Sequence, residues 1–127
     1  MNYEKVIFGF FIILSLTLNF GFFIGDIHNP EHHNILEFFF VVVVNIIATG
    51  LKLGDRTQIG ALLLATSFVA VLQLISASVI WAYVVHISQT GLTPNITASI
   101  VSLSGGALLA NIISVTILVA ETLMMRR

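Results

Sequence analysis

The 127-residue sequence is too apolar for a water-soluble domain, because 57% of its residues are hydrophobic and only 9% are charged, against about 25% charged in an average globular chain. Its net charge of −1 offers no basic surface, so we exclude nucleic acid as a partner. The absence of cysteine excludes disulfides and cysteine-based metal or catalytic sites. An integral membrane protein is the class that remains, with the lipid bilayer as its first partner.

Several apolar stretches are long enough to cross a bilayer, which takes roughly 20 helical residues. They predict an all-α membrane protein of one domain (1–127), with four transmembrane helices at about 3–25, 35–52, 58–87 and 95–125. The second stretch is rich in β-branched residues, but a backbone in lipid must satisfy its hydrogen bonds locally, which favours helix over strand. The first stretch is too long, and its flank too weakly basic, for a cleaved signal peptide, so we expect it to be retained.

Helix-end signals lie between the predicted helices. Gly54 can take the left-handed conformation that often ends a helix, and Asp55 with Gln58 three residues later has the spacing of a helix N-cap. Thr93 before Pro94 is the pattern of a cap followed by a first helical residue. These signals predict turns after the second and the third helix.

The basic residues all lie on one side of the predicted bundle. They are Lys5, Lys52, Arg56, Arg126 and Arg127, and the two opposite loops have no Lys or Arg. By the positive-inside rule, both termini and the 51–60 turn face the cytoplasm. We therefore expect a multi-pass protein of the plasma membrane.

Away from the helix ends, each predicted helix has one amide side chain, and these are Asn19, Asn45, Gln73 and Asn111. An unpaired amide in hydrocarbon costs several kcal/mol, so these side chains must face protein or water. They either hold the helices together by hydrogen bonds or line a polar conduit, for which Asn45, Gln73 and Asn111 are the candidates. Because side chains fill the core of a single four-helix bundle, we expect a conduit to need an axis between subunits.

Small residues recur at every fourth position of the fourth predicted helix, at Ala98, Ser102, Gly106, Ala110 and Ser114. A ridge of this kind lets two helix backbones approach closely. We predict that the ridge packs against other helices in a homo-oligomer. Packing within one chain requires the same small residues and is the alternative.

The side without basic residues is rich in histidines and carboxylates: Asp26, His28, Glu31, His32, His33, Glu37 and His86. A mouth of this charge concentrates cations and repels anions, and its histidines titrate near neutrality, which makes them candidate proton sensors. His28 and His32, with Glu31 between them, would suit a divalent metal if the loop were helical. Pro30 interrupts that geometry, so ordinary solvated loop residues are the alternative and the metal question stays open.

Glu37 lies about half a turn inside the second predicted helix, on the face of Asn45. A ring of such carboxylates, one per subunit, is a common means of selecting cations. A first-turn glutamate that interacts with the helix dipole is the alternative. Glu121, near the end of the fourth helix, is expected to pair with a nearby Lys or Arg.

Two segments, GLKLGDRTQIGALLLATSFVAVLQL (50–74) and SLSGGALLANIISV (102–115), resemble an uncharacterised family of small four-helix proteins of the bacterial inner membrane. The resemblance implies that location. It implies no activity and no functional residue.

The leading functional hypothesis is a homo-oligomeric ion channel that prefers inorganic cations, with Glu37 at its mouth. A small non-conducting accessory subunit of a larger membrane complex is one alternative, and a proton-coupled carrier of a small solute or metal is another. The sequence has no potassium-filter motif, no phosphate-binding loop and no metalloprotease motif. We therefore expect neither enzyme activity nor a cofactor.

Overall fold

A computed structural model describes residues 3–25 and 29–125 of the chain. Its main elements are four helices: α1 (Tyr3–Phe23), α2 (Ile35–Lys52), α3 (Gln58–Ala82) and α4 (Pro94–Met125). All four are long and apolar enough to cross a membrane, and the described residues include no strand. The prediction of an all-α protein with four transmembrane helices is confirmed, including a helical conformation for the β-branched run at 41–44.

The helices form a closed ring in which each contacts its neighbours in the chain and α4 contacts α1. The α3–α4 contact is the most extensive and the α2–α3 contact the least extensive of the four. Phe22 packs on Phe38 near one end of the bundle, and Phe8 packs under Lys52 near the other. These pairs show that α1 and α2 run antiparallel, as their short connection requires.

The turn between α2 and α3 is organised by short hydrogen bonds. Gly54 has a φ of 89°, which is the left-handed conformation predicted for it. The predicted N-cap at Asp55 is wrong, because the Thr57 hydroxyl caps α3 by accepting from Gly60 N at 2.9 Å. The Asp55 carboxylate lies against Gly60 in the first turn of α3 but accepts from Thr57 N and Thr57 Oγ1, at 3.0 and 2.8 Å, and so supports the capping residue.

The connection between α3 and α4 is longer. α3 continues into one π-helical turn, Tyr83–Ile87, so helical structure reaches the end of the predicted 58–87 span. Gln89 in the loop has a φ of 59°. Ahead of α4, the Thr93 hydroxyl accepts from Ile96 N at 3.2 Å, which confirms the predicted cap.

The two ends of the bundle differ in chemistry. The end with Lys5, Lys52 and Arg56 is called the basic end, and the end with His32, His33 and His86 is called the histidine end. Glu121 at the basic end pairs with Lys5, with Nζ to Oε1 at 3.2 Å, as expected. That the basic end faces the cytoplasm stays a prediction.

The interior contains two separate apolar clusters. The histidine-end cluster is built around three rings, Phe22, Phe38 and Trp81, whose centroids lie 4.9 to 6.1 Å apart. It also includes smaller residues of α2, α3 and α4, among them Val41, Ala70 and Ala110. The basic-end cluster consists of Phe8, Ile12, Ala48, Leu63 and Leu118.

Candidate functional site

A layer of fully buried polar side chains lies inside the bundle, and every helix contributes to it. Its seven members are each 0% exposed. We call this set the polar layer: Ser15 and Asn19 from α1, Asn45 from α2, Ser67 from α3, and Ser104, Asn111 and Ser114 from α4.

The order of residues along each helix places the polar layer between the two apolar clusters. On α2, Asn45 follows Val41 of the histidine-end cluster and precedes Ala48 of the basic-end cluster. On α1 and α3, the members of the polar layer likewise lie between residues of the two clusters, as do Asn111 and Ser114 on α4. Ser104 lies further toward the histidine end. Along the length of the bundle, its interior is therefore apolar toward both ends and polar between them.

Hydrogen bonds within the polar layer join α4 to both of its neighbours. In the orientation that satisfies both groups of the Asn19 amide, Nδ2 donates to Ser104 Oγ at 2.8 Å and to Ser104 O at 3.1 Å. Asn19 Oδ1 then accepts from Asn111 Nδ2 at 3.3 Å. On the other side of α4, the hydroxyls of Ser114 and Thr66 lie 2.5 Å apart.

The amide of Asn45 bonds only within its own helix. Its Nδ2 donates to Val41 O at 2.7 Å, and the Thr49 hydroxyl one turn later donates to Asn45 O at 2.9 Å. Asn45 Oδ1 is buried and has no hydrogen-bond partner among the described residues. This side chain therefore contributes no hydrogen bond between helices.

Three oxygens of the polar layer lack a hydrogen-bond partner. Within the described part of the chain, Asn45 Oδ1, Ser67 Oγ and Asn111 Oδ1 are buried without a partner, and so are Gln73 Oε1 and Thr97 Oγ1 outside the polar layer. The amide nitrogens of Asn19, Asn45 and Asn111 are all bonded. Buried polar atoms are nearly always paired, and each unpaired one costs about 1–3 kcal/mol. The free amide oxygens can only accept, whereas the Ser67 hydroxyl can accept or donate, so the two amide oxygens suit a cation or a hydrogen-bond donor.

The asparagines lie inside one chain, and a conduit on an axis between subunits stays a prediction. Asn45 and Asn111 are fully buried, because the polar stripe of each helix faces the centre of its own bundle. Neither amide is exposed on an outer surface where subunits could share it. Any path that uses them runs through the interior of a single chain.

Gln73 was predicted with the pore candidates but lies off the inward stripe of α3. Its amide rests on α4 at Gly106, where an added Cβ would lie 2.5 Å from Gln73 Nε2. Ser67, which the sequence analysis missed, is the α3 residue in the polar layer. The signal was available, since Leu63, Ser67, Ala70 and Leu74 follow steps of three and four residues.

The small-residue ridge of α4 is used largely within the chain. Gly106 contacts Gln73 and Ser114 contacts Thr66, so both pack on α3. Ala110 belongs to the histidine-end cluster, Ala98 is half-buried and Ser102 is exposed. This is the intrachain packing named as the alternative for the ridge, and a homo-oligomer stays a prediction.

Glu37 is half-buried in the first turn of α2. Its carboxylate faces α1, where Oε2 lies 2.6 Å from the position that a Cβ at Gly21 would occupy. Glycine at this position therefore makes room for the carboxylate between the two helices. Glu37 lies between the histidine-end surface and the polar layer, and its role in cation selection stays a prediction.

His33 has a structural contact that the sequence did not reveal. The ring is 4% exposed, and its Nδ1 lies 2.6 Å from Phe22 O, a carbonyl in the last turn of α1. Because a carbonyl only accepts, Nδ1 must donate, and the bond satisfies one of the oxygens that a helix leaves free at its C-terminus. No residue pattern pairs a loop histidine with a helix end eleven residues earlier.

The other histidine-end candidates are more exposed or lie outside the described residues. Glu31, His32 and His86 are exposed, and Asp26 and His28 fall in the range that the structure does not describe. Among residues 3–25 and 29–125, no group of three or more His, Cys, Asp or Glu side chains is placed to hold a metal ion. A metal site or a proton sensor that uses residues 26–28 stays a prediction.

A protein family described as a family of unknown function, DUF6394, matches residues 32–122. The chain belongs to this family. The matched range covers α2, α3 and most of α4, and it includes every member of the polar layer except Ser15 and Asn19. The resemblance at 50–74 and 102–115 to an uncharacterised family is confirmed, and a location in the bacterial inner membrane stays a prediction. No curated protein and no solved structure matches the chain.

Proposed function

We propose that this DUF6394 protein conducts small cations across the membrane through the interior of its bundle, with the polar layer as the binding region of the path. The observation that carries the proposal is the set of free oxygens on Asn45, Ser67 and Asn111 in a fully buried site. The two free amide oxygens attract cations, and of the three free groups only the Ser67 hydroxyl can also donate to an anion. The proposal thus accounts for polar atoms that destabilise the fold when unpaired.

Cavities at both ends of the bundle support a path along its length. At the basic end, a cavity of about 550 Å³ is bordered by Phe8, Lys52 and Asp55. At the histidine end, a groove of about 220 Å³ between α2 and α3 is bordered by Phe38 and Trp81. Phe8 belongs to one apolar cluster and the two other rings belong to the second cluster. Each cavity therefore ends at a cluster that closes the polar layer.

Conduction requires these clusters to open. The groove lies along the α2–α3 contact, which is the least extensive contact between neighbouring helices. Separation of α2 from α3 at the histidine end would part Phe38 from Trp81 and admit an ion toward Asn45. Glu37 in the first turn of α2 would raise the local concentration of cations there.

A non-conducting accessory subunit is the second candidate, and the closed clusters favour it. Apolar side chains seal the polar layer on both sides, and Asn19, Ser104 and Asn111 form interhelical hydrogen bonds of the kind that hold membrane bundles together. A proton-coupled carrier has less support, because the polar layer has no ionisable member. A homo-oligomer is not needed for the proposed path, since each chain contains its own polar layer.

The test is cation flux into vesicles that contain the purified protein and a dye sensitive to Na⁺ or K⁺. We expect the parent to pass these ions faster than protein-free vesicles and to pass chloride no faster. Asn111→Leu should reduce the flux to the protein-free rate. Thr116→Val is the matched control, because Thr116 is an exposed polar residue on the same helix. A parent without flux under any gradient or voltage would favour the accessory subunit.

A further inference from the structure

The free ligands of the polar layer are all electrically neutral. Asn45 and Asn111 offer amide oxygens, and Ser67 offers a hydroxyl oxygen. All three side chains are 0% exposed. A cation bound there would be held by oxygen dipoles alone.

No carboxylate of the described residues lies in the polar layer. Glu37 is the nearest in sequence to Asn45 on α2, eight residues earlier, which corresponds to about 12 Å along a helix. At the basic end, Asp55 lies 3.4 Å from Lys52 Nζ and Glu121 lies 3.2 Å from Lys5 Nζ. The negative charges of these groups are thus at the ends of the bundle and partly compensated.

Neutral ligands in an apolar interior discriminate between ions by charge. The cost of removing an ion from water grows with the square of its charge, whereas its attraction to neutral dipoles grows only in proportion to the charge. Proteins therefore bind Ca²⁺ and Mg²⁺ with carboxylates, while neutral carbonyl oxygens suffice for a monovalent ion in a channel filter.

We infer that the polar layer binds monovalent cations such as Na⁺ or K⁺ and excludes divalent cations. The inference rests on the proposed function for its place in a path, but binding itself does not require conduction. Its direct basis is the presence, between the two apolar clusters, of three free neutral oxygens that are completely buried, with no described carboxylate among them.

Binding is measured first, in detergent, as the midpoint of thermal unfolding at equal ionic strength in different chloride salts. An ion that binds the native state raises this midpoint. We expect NaCl or KCl to raise it relative to N-methylglucamine chloride, and CaCl₂ and MgCl₂ to leave it unchanged. In Asn45→Val, which removes one free oxygen, the shift with NaCl or KCl should shrink, whereas Thr116→Val should keep it.

Flux of the same ions into vesicles is measured second. Entry of Na⁺ or K⁺ without Ca²⁺ would support the inference, and Asn45→Asp, which places a carboxylate in the polar layer, should then admit Ca²⁺. A midpoint shift without any flux would contradict the proposed conduction and support the binding site. Equal midpoint shifts, or equal fluxes, for Na⁺ and Ca²⁺ would overturn the inference, as would a parent that responds to no cation in either measurement.

Discussion

The histidine-end cluster and the polar layer are neighbouring regions of one interior, and they satisfy opposite requirements. In the cluster, Phe22, Phe38 and Trp81 pack ring against ring, and the nearby His33 donates to a free carbonyl of α1. In the polar layer, oxygens of Asn45, Ser67 and Asn111 are buried without partners among the described residues. The first region is what stability alone would produce, whereas the unpaired oxygens of the second lower stability.

The contrast indicates which residues serve the fold and which serve a ligand. A membrane bundle can be held together by apolar packing and small residues without buried amides. Asn45 is the clearest case, because its only amide hydrogen bond is to Val41 O of its own helix. A free oxygen at such a position contributes nothing to helix association, and the proposed cation site would give it a role.

The largest expected effect is on stability and comes from the histidine-end cluster. Phe22→Ala removes a fully buried ring and should lower the free energy of unfolding by about 3–5 kcal/mol. Phe20→Ala is the matched control, because Phe20 on the same helix is 52% exposed and faces the lipid. Both are measured by denaturant unfolding in detergent micelles. Equal losses in the two variants would mean that the cluster does not stabilise the bundle.

A smaller effect is expected from the contact that closes the end of α1. His33→Ala leaves Phe22 O without its donor and should cost about 1–3 kcal/mol. His86→Ala should change stability little, since His86 is exposed. The two variants are compared in the same unfolding assay. If His86→Ala costs as much as His33→Ala, the hydrogen bond to α1 is not the source of the loss.

The smallest effect lies outside both regions, in the turn before α3. Hydrogen bonds from Thr57 N and Oγ1, followed by the Lys52 charge, hold the pKa of Asp55 below its usual 3.8. A lowered pKa in the folded state means that Asp55 stabilises the protein above its unfolded pKa and loses this effect as the pH falls through its folded pKa. The difference in thermal midpoint between parent and Asp55→Asn should therefore shrink below about pH 4. A difference that is constant with pH would contradict the assignment.

The inward face of most helices could be predicted from the sequence, because spacing fixes which residues share a side of a helix. Asn19, Asn45 and Asn111 stood on polar stripes, and all three are buried. Spacing does not fix how two helices are rotated against each other, so Gln73 was grouped with the pore candidates although its amide rests on Gly106. For the same reason, the sequence did not show whether the small-residue ridge of α4 packs within its own chain or against another chain.

Contacts between distant segments were beyond prediction for a different reason. The bond from His33 to Phe22 O depends on how the loop after α1 folds back, and no periodicity describes that path. The sequence also could not show that Asn45 Oδ1 lacks a hydrogen-bond partner, because it shows which groups can form hydrogen bonds but not which of them do.

The proposal that Asn45 serves a cation and not the fold is tested most directly with Asn45→Val. Stability and cation flux are measured in the same preparation of this variant. Valine is similar in size to asparagine, and no other helix loses a hydrogen bond in the exchange. We expect the free energy of unfolding to stay equal or rise by about 1–3 kcal/mol, because an unpaired oxygen is removed, and we expect Na⁺ or K⁺ flux to disappear. A variant that is destabilised and still conducts like the parent would show that Asn45 serves the fold and not a cation.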